Sequence, residues 1–188
     1  MSRVHHHRSH AIGLVPARPG QVTFGPAATI RFGPRRDDMP DHGLESAARH
    51  ALADAPDGAV ILLAAPDAPE EAVAGGKKLA ALAEMGAAGV VAWGAIRDRA
   101  EAAAFTMDVW ALGETPRASG DHLQVLETGG IVCFGGVTVQ SGDWVYVDEA
   151  GLIVVPAADV EEVVVAAREI EEADAAAVRA IRGGGSAG

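Results

Sequence analysis

The sequence predicts an α/β fold with mixed sheets and a long C-terminal helix, and three features carry that prediction. The runs AVILLAAP, residues 59–66, and AGVVAW, residues 88–93, are continuously apolar, as expected of strands buried on both faces. Between them lies a stretch of helical character, and a β-α-β unit of this kind crosses over right-handed with its strands parallel. Farther on, Gly135-Gly136, Gly142-Asp143 and the stretch from Asp148 to Gly151 separate short β-runs. These are hairpin and corner signals, so parallel and antiparallel pairing must coexist.

At 188 residues the chain is long enough for one domain with a real core and too short for two ordinary ones. Hydrophobic residues make up 49% but aromatics only 4%, so the interior is expected to consist of small, closely approaching elements. The formal charge of -11 argues against nucleic acid as a partner, because phosphate binding needs a basic surface. No apolar run approaches the roughly 20 residues that span a bilayer, and no membrane role is expected. The start MSRVHHHRSH lacks the apolar segment of a secretory signal, from which a cytoplasmic location is expected. The single cysteine, Cys133, lies in an apolar run and is expected to be a buried small hydrophobe.

In chain order, residues 1–20 carry His5, His6, His7 and His10 with Arg3, Arg8 and Arg18, and are expected to form a mobile segment with no scaffold to fix a metal. A single domain then covers residues 21–182, followed by a disordered tail at residues 183–188. QVTFGPAATIRF, residues 21–32, suggests a strand, a bend at Gly25-Pro26 and a second strand. In the polar loop that follows, Arg35 and Arg36 stand beside Asp37 and Asp38 as a self-compensated charge cluster. Leu44, Ala47, Ala48, Ala51 and Leu52 have helical spacing, and Pro56-Asp57-Gly58 supplies a turn. A second helix runs from about Gly76 to Met85 and stops at Gly86.

MDVWALG, residues 107–113, reads as a strand leading into a loop through Gly120, Asp121 and His122, where His122 is expected at the surface. Asp143 and Asp148 are expected to organise turns. After Pro156, Asp159 and Glu162 have the spacing of a helix start. Val160, Val163, Val164, Ala167, Ile170, Ala177, Val178 and Ile181 then form an apolar stripe suited to packing on the domain or on a neighbouring subunit.

Candidate chemistry gathers in residues 75–98. Gly75-Gly76 opens a helix, whose N-terminal N–H groups favour anions and whose missing side chains admit a ligand closely. Arg97 can hold a carboxylate in a planar fork, and Asp98 can ligate a hard cation such as Mg²⁺ or Mn²⁺. The same pair reads equally as a surface ion pair of little energetic weight. Lys77 and Lys78 suit a solvated helix face, and either could also bring a cation to an anionic substrate.

The segments GGKKLA, GAAGVVAWGAIRD, ALGETPRASG and GGVTVQSGDWVYVDEAGLIVVP, in that order, resemble the family that unites 4-hydroxy-4-methyl-2-oxoglutarate aldolases with regulator of ribonuclease activity A (RraA). The resemblance runs from about Gly25 to the C-terminal helix. It implies a β/β/α swivelling-domain fold, assembly as a homotrimer or dimer of trimers, and a site in the cleft between subunits. It further implies a divalent-metal-dependent lyase acting on a small 2-oxo acid, by retro-aldol cleavage or decarboxylation through a pyruvate enolate. Arg97 would then bind the substrate, Asp98 the metal, and the main chain at Gly76, Lys77 and Lys78 the substrate carboxylate. One departure stands out: 21 positions before Arg97, where the aldolase branch has an Asp, this chain has Gly76. A divergent substrate or proton donor is therefore expected. The alternative is a catalytically weak RraA-like regulator that binds a protein partner through its acidic surface, although Asp98, typically absent from the ribonuclease-inhibiting branch, is retained.

Overall fold

Apolar character decides what lies at the centre: the two continuous runs are parallel neighbours, in a register from Val60 beside Gly89 to Ala64 beside Trp93. The computed structural model describes residues 7–184. It opens with two short strands, β1 (His10–Ala11) and β2 (Val15–Pro16), and a long one, β3 (Thr23–Pro34). Helix α1 (Gly43–Ala53) precedes β4 (Val60–Ala64), β5 (Ala72–Ala74), α2 (Gly76–Glu84) and β6 (Gly89–Ile96). A short helix α3 (Arg99–Ala102), β7 (Asp108–Glu114), a 3-10 turn at Ser119–Asp121 and β8 (Leu123–Thr128) follow. Two hairpins, β9 (Ile131–Phe134) with β10 (Val137–Gln140) and β11 (Trp144–Asp148) with β12 (Gly151–Val155), lead into α4 (Val160–Gly184).

Mixed pairing is present as expected. β4, β6 and β7 are parallel, and β11, β12 and β8 enter antiparallel. β3 joins the two kinds of sheet by changing partners along its length. Thr23–Pro26 pairs with β11, Ala27–Arg31 with β4, and Ile30–Pro34 with β8. The bend expected at Gly25-Pro26 is therefore corrected to one continuous strand. Gly25 lies so close to the Gly58 carbonyl that a Cβ would collide with it, and Pro26, with no N–H to donate, sits where the partner changes.

The central strands alternate between two cores, as the period of a strand requires. Val60, Leu62, Ala64 and Val91 face Val132, Phe134, Val137 and Val139 of the β9–β10 hairpin and Val145, Val147 and Leu152 of the next one. Ile61, Leu63, Val90 and Ala92 face Leu44, Ala47, Ala48 and Ala51 of α1 and Leu79 and Leu82 of α2. The result is the expected β/β/α layering, with the helices on one face of the central sheet and the hairpins on the other.

Three expectations change. The segment expected to be mobile up to residue 20 is partly built into the sheet: β1 pairs with β12 and β2 with β7. Buried Ala11 and Leu14 pin it, while His5 and His6 lie outside the described residues. Cys133 is exposed, because the hairpin strand carrying it turns Val132 and Phe134 inward and Cys133 outward. The helix α4 extends to Gly184, past the boundary drawn at residue 182; residues 185–188 of the expected tail lie outside the described residues.

Other expectations hold. Arg36 pairs with Asp38, and Arg35 with Asp37 and Asp41, all in the polar loop. Asp143 accepts the Gln140 N–H and Asp148 the Ala150 N–H, each closing a turn. The C-terminal stripe is partly covered at Val160, Val163 and Val164 and exposed farther along. No described side chain of α4 is buried, and Val165, Ile170, Val178 and Ile181 are exposed. Among the described residues no helix is long and apolar enough to cross a membrane.

Candidate active site

Strands β5 and β6 run parallel, with Ala72 beside Ala95 and Ala74 beside Ile96. The segments leaving their carboxyl ends, Gly75-Gly76 and Arg97-Asp98, therefore emerge side by side. The Arg97 N–H donates to the Ala74 carbonyl at 2.9 Å, and the Thr115 N–H donates to the Ile96 carbonyl at 3.0 Å, which draws in the loop after β7. Together they frame a cavity of about 270 Å³ lined by Gly75, Gly76, Lys77, Lys78, Arg97 and Asp98. Every residue singled out in the sequence thus reaches one cavity, at the carboxyl ends of parallel strands where open α/β sheets bind ligands. The loop Ala118–Gly120, the end of the ALGETPRASG segment, also lines it. His122 is exposed and does not line it.

Asp98 has φ 63° and ψ 42°, and it alone among the described non-glycine residues has a positive φ. Left-handed backbone costs an L-residue roughly 1–2 kcal/mol, with Asp among those that tolerate it best. The conformation sends the side chain away from its own helix, α3, which it does not cap, and over the start of α2. There Asp98 Oδ2 accepts the Gly76 N–H at 2.9 Å. This corrects the expectation that the Gly76 amide faces a ligand: it faces Asp98. The amides at Lys77 and Lys78 remain, since the first helical bond of α2 is donated by Leu79 to the Gly75 carbonyl.

The glycine pair is a matter of space. A Cβ on Gly75 would stand 3.0 Å from Asp98 Oδ2 and 3.3 Å from Arg97 Nε and Nη2. On Gly76 it would overlap the Glu101 carboxylate. Three charged side chains therefore close over a helix start that has no side chains of its own.

The charges at this corner are unusual for so acidic a chain. Arg31, Arg35, Arg36 and Arg117 each pair with carboxylates. Among the described residues Arg97, Lys77 and Lys78 form no ion pair or side-chain hydrogen bond, and they surround the positive pole of α2. An anion entering here meets cations not already neutralised. For a cation, the donors are Asp98 and Glu101; no group of three or more metal-ligating side chains exists among the described residues. That excludes a closed protein cage within the described chain, but it fits Mg²⁺ or Mn²⁺, hard ions that are held by one or two carboxylates and keep several waters.

The chain is similar to known proteins over most of its length. The RraA-like family model, described as Aldolase/RraA, matches residues 1–154. A protein of Alkalilimnicola ehrlichii named "Putative 4-hydroxy-4-methyl-2-oxoglutarate aldolase" is 36% identical over 137 residues, covering 72% of this chain and 78% of the relative. One of the same name from Halalkalibacterium halodurans is 32% identical over 171 residues, covering 89% and 76%. Among solved structures, Streptomyces coelicolor RraAS2, titled an unusual member of the RNase ES inhibitor RraA protein family, superposes with a TM-score of 0.81 at 27% identity over 92% of this chain and 85% of that one. Matched from its first residue through β11 and most of β12 by one family model, and over most of its length by relatives of the same architecture, the chain belongs to the RraA-like family.

Proposed function

We propose that the chain is a divalent-metal-dependent lyase acting on a small 2-oxo acid, with Arg97 orienting the substrate and Asp98 holding the cation. The observation that carries this reading is the set of cations Arg97, Lys77 and Lys78, unpaired among the described residues and placed beside the Asp98 carboxylate around one helix start. The aldolase name borne by the relatives agrees with it.

In retro-aldol cleavage of 4-hydroxy-4-methyl-2-oxoglutarate, the C3–C4 bond breaks and its electrons pass into the C2 carbonyl, giving a pyruvate enolate. The C4 hydroxyl loses its proton to become the carbonyl of a second pyruvate, and the enolate takes a proton at C3. Decarboxylation of oxaloacetate breaks its C3–C4 bond in the same sense and releases CO₂. Both routes place negative charge on the 2-oxo oxygen. Arg97 is free to fork onto the substrate carboxylate, and the Lys77 and Lys78 amides supply further donors. A divalent cation, when bound by Asp98, contributes Lewis-acid stabilisation of the developing oxyanion. Opposite unit charges about 4 Å apart at an effective dielectric near 20 attract by roughly 4 kcal/mol, so each such contact is a useful part of a barrier reduction. We also propose a homotrimer or dimer of trimers, since the exposed α4 stripe needs an apolar cover.

The test is metal-stripped protein supplied with Mg²⁺ or Mn²⁺ and either 4-hydroxy-4-methyl-2-oxoglutarate or oxaloacetate, with pyruvate as the readout. Metal-dependent release that falls roughly 100-fold or more in Asp98→Asn supports the lyase. No metal-dependent release, or release indifferent to the substitution, contradicts it. The likeness to RraAS2 favours a second reading, a regulator acting through a protein partner. Under that reading Asp98→Asn leaves partner binding unchanged and pyruvate release is absent throughout.

A further inference from the structure

Ser119 stands apart from the other polar groups around the cavity. It is only 6% exposed, it lines the cavity, and its hydroxyl has no hydrogen bond among the described residues. Burying a hydroxyl without a partner costs free energy, and folded chains nearly always supply one. Among the described residues, Glu71 Oε2 is the one side-chain oxygen or nitrogen that is both fully enclosed and unpartnered. Ser119 Oγ therefore keeps an opening, and the space it lines is the cavity.

The backbone holds that hydroxyl in place. The Ala72 N–H donates to the Arg117 carbonyl at 3.0 Å, Ala118 bridges to Ala72 in parallel, and the His122 N–H donates to the Ser119 carbonyl at 3.0 Å. Arg117 Nη1 also reaches Oε1 of the buried Glu71 at 3.3 Å. Strand β5 thereby sets how far Ser119 stands from Arg97. One edge of β5 carries β6, with the Arg97 N–H on the Ala74 carbonyl, and the other edge carries Ala118. Two strand spacings put the backbones that carry Arg97 and Ser119 about 10 Å apart, with the start of α2 between them. The two substrates considered above end in a second carboxylate, and Arg97, forked onto the first, has no donors left to receive it.

We infer that Ser119 is a specificity-determining residue, its hydroxyl donating to the far carboxylate of a dicarboxylic 2-oxo acid whose near carboxylate is forked by Arg97. This rests on the lyase reading above, in which Arg97 orients the substrate. Lys77 and Lys78, on the same cavity, add positive charge for a ligand that carries two negative ones. A buried hydroxyl discriminates well, because a ligand that lacks the far carboxylate leaves it unpaired.

The experiment is calorimetric titration of the full-length protein, in the presence of Mg²⁺, with 2-oxoglutarate and with 2-oxopentanoate. The two ligands share a carbon skeleton and differ in the far carboxylate, and neither has the 4-hydroxyl that retro-aldol cleavage needs. Wild-type protein is expected to bind 2-oxoglutarate more tightly. A hydrogen bond to a charged group corresponds to about tenfold in affinity, so Ser119→Ala is expected to weaken 2-oxoglutarate about tenfold and 2-oxopentanoate less than about twofold, at an unchanged melting temperature. Arg97→Lys is expected to weaken both ligands alike, since both present the near carboxylate. Equal weakening of the two ligands in Ser119→Ala, or no weakening of either, overturns the role of Ser119. If Arg97→Lys still weakens both in that case, the lyase reading stands without it. A wild-type protein that binds neither ligand overturns both this inference and the reading beneath it.

Discussion

Two Arg–Asp sets stand at opposite ends of the same parallel strands, and their environments differ in every respect that bears on function. At the amino end of β7, Asp108 accepts from Arg18 Nη2 at 2.9 Å, Gln21 Nε2 at 2.8 Å and Thr23 Oγ1 at 3.0 Å. Arg18 also donates to the Ala103 and Phe105 carbonyls, and Trp110 Nε1 donates to Thr23 Oγ1. Every strong donor and acceptor is directed at the protein itself. At the carboxyl end of β6, among the described residues, the Arg97 side chain has no partner and the Asp98 carboxylate has only the Gly76 amide. Residue type is therefore no guide to role. The closed set ties the N-terminal segment to the strand starts, and the open set has bonding capacity left for a ligand.

Substitutions can break or sharpen that contrast. The largest effect is expected from Asp98→Asn, which keeps the left-handed turn and an acceptor for the Gly76 N–H. Pyruvate release should fall about a thousandfold, equivalent to about 4 kcal/mol of barrier, with stability changed by less than about 0.5 kcal/mol. Equal loss of melting temperature and activity would erase the distinction between the two ends.

Asp108→Ala is expected to do the reverse. It strands three side-chain donors in a partly buried network and should cost about 3 kcal/mol of stability by denaturant unfolding, while the protein that remains folded keeps its activity per molecule. A smaller effect is expected of Arg97→Lys, which keeps the charge but loses the fork. KM for the 2-oxo acid should rise roughly tenfold in steady-state kinetics with little change in melting temperature. Smallest is the glycine pair of tests. Gly75→Ala brings a Cβ to 3.0 Å from Asp98 Oδ2 and should lower turnover several-fold, by about 1 kcal/mol. Gly89→Ala presses a Cβ to 2.8 Å from Thr23 Cγ2, at the closed end, and should appear as about 1 kcal/mol of instability instead.

Much of this was legible in the sequence for a physical reason. Strands buried on both faces are written as unbroken apolar runs, so residues 59–66 and 88–93 declared themselves, and the helix between them fixed the crossover. β5 did not, because three residues, Ala-Val-Ala, carry no period, and β1 and β2 are shorter still. Cys133 was misjudged because an apolar run hides which residues alternate outward once only one face of a hairpin is covered. At the site, Arg97 and Asp98 could be found from their place after a buried strand. The bond from Gly76 to Asp98 and the approach of Glu101 to Gly76 could not. They depend on a left-handed turn at Asp98 and on contacts between segments more than 20 residues apart.

The most direct test of the claim that the open end is the working end is a crystal structure of the protein grown with Mn²⁺ and pyruvate. The account predicts an anomalous peak for Mn²⁺ beside the Asp98 carboxylate, with the pyruvate carboxylate within hydrogen-bonding distance of Arg97 and the amides of Lys77 or Lys78. A peak and ligand located elsewhere, or a cavity that takes up neither at saturating concentrations, would contradict it.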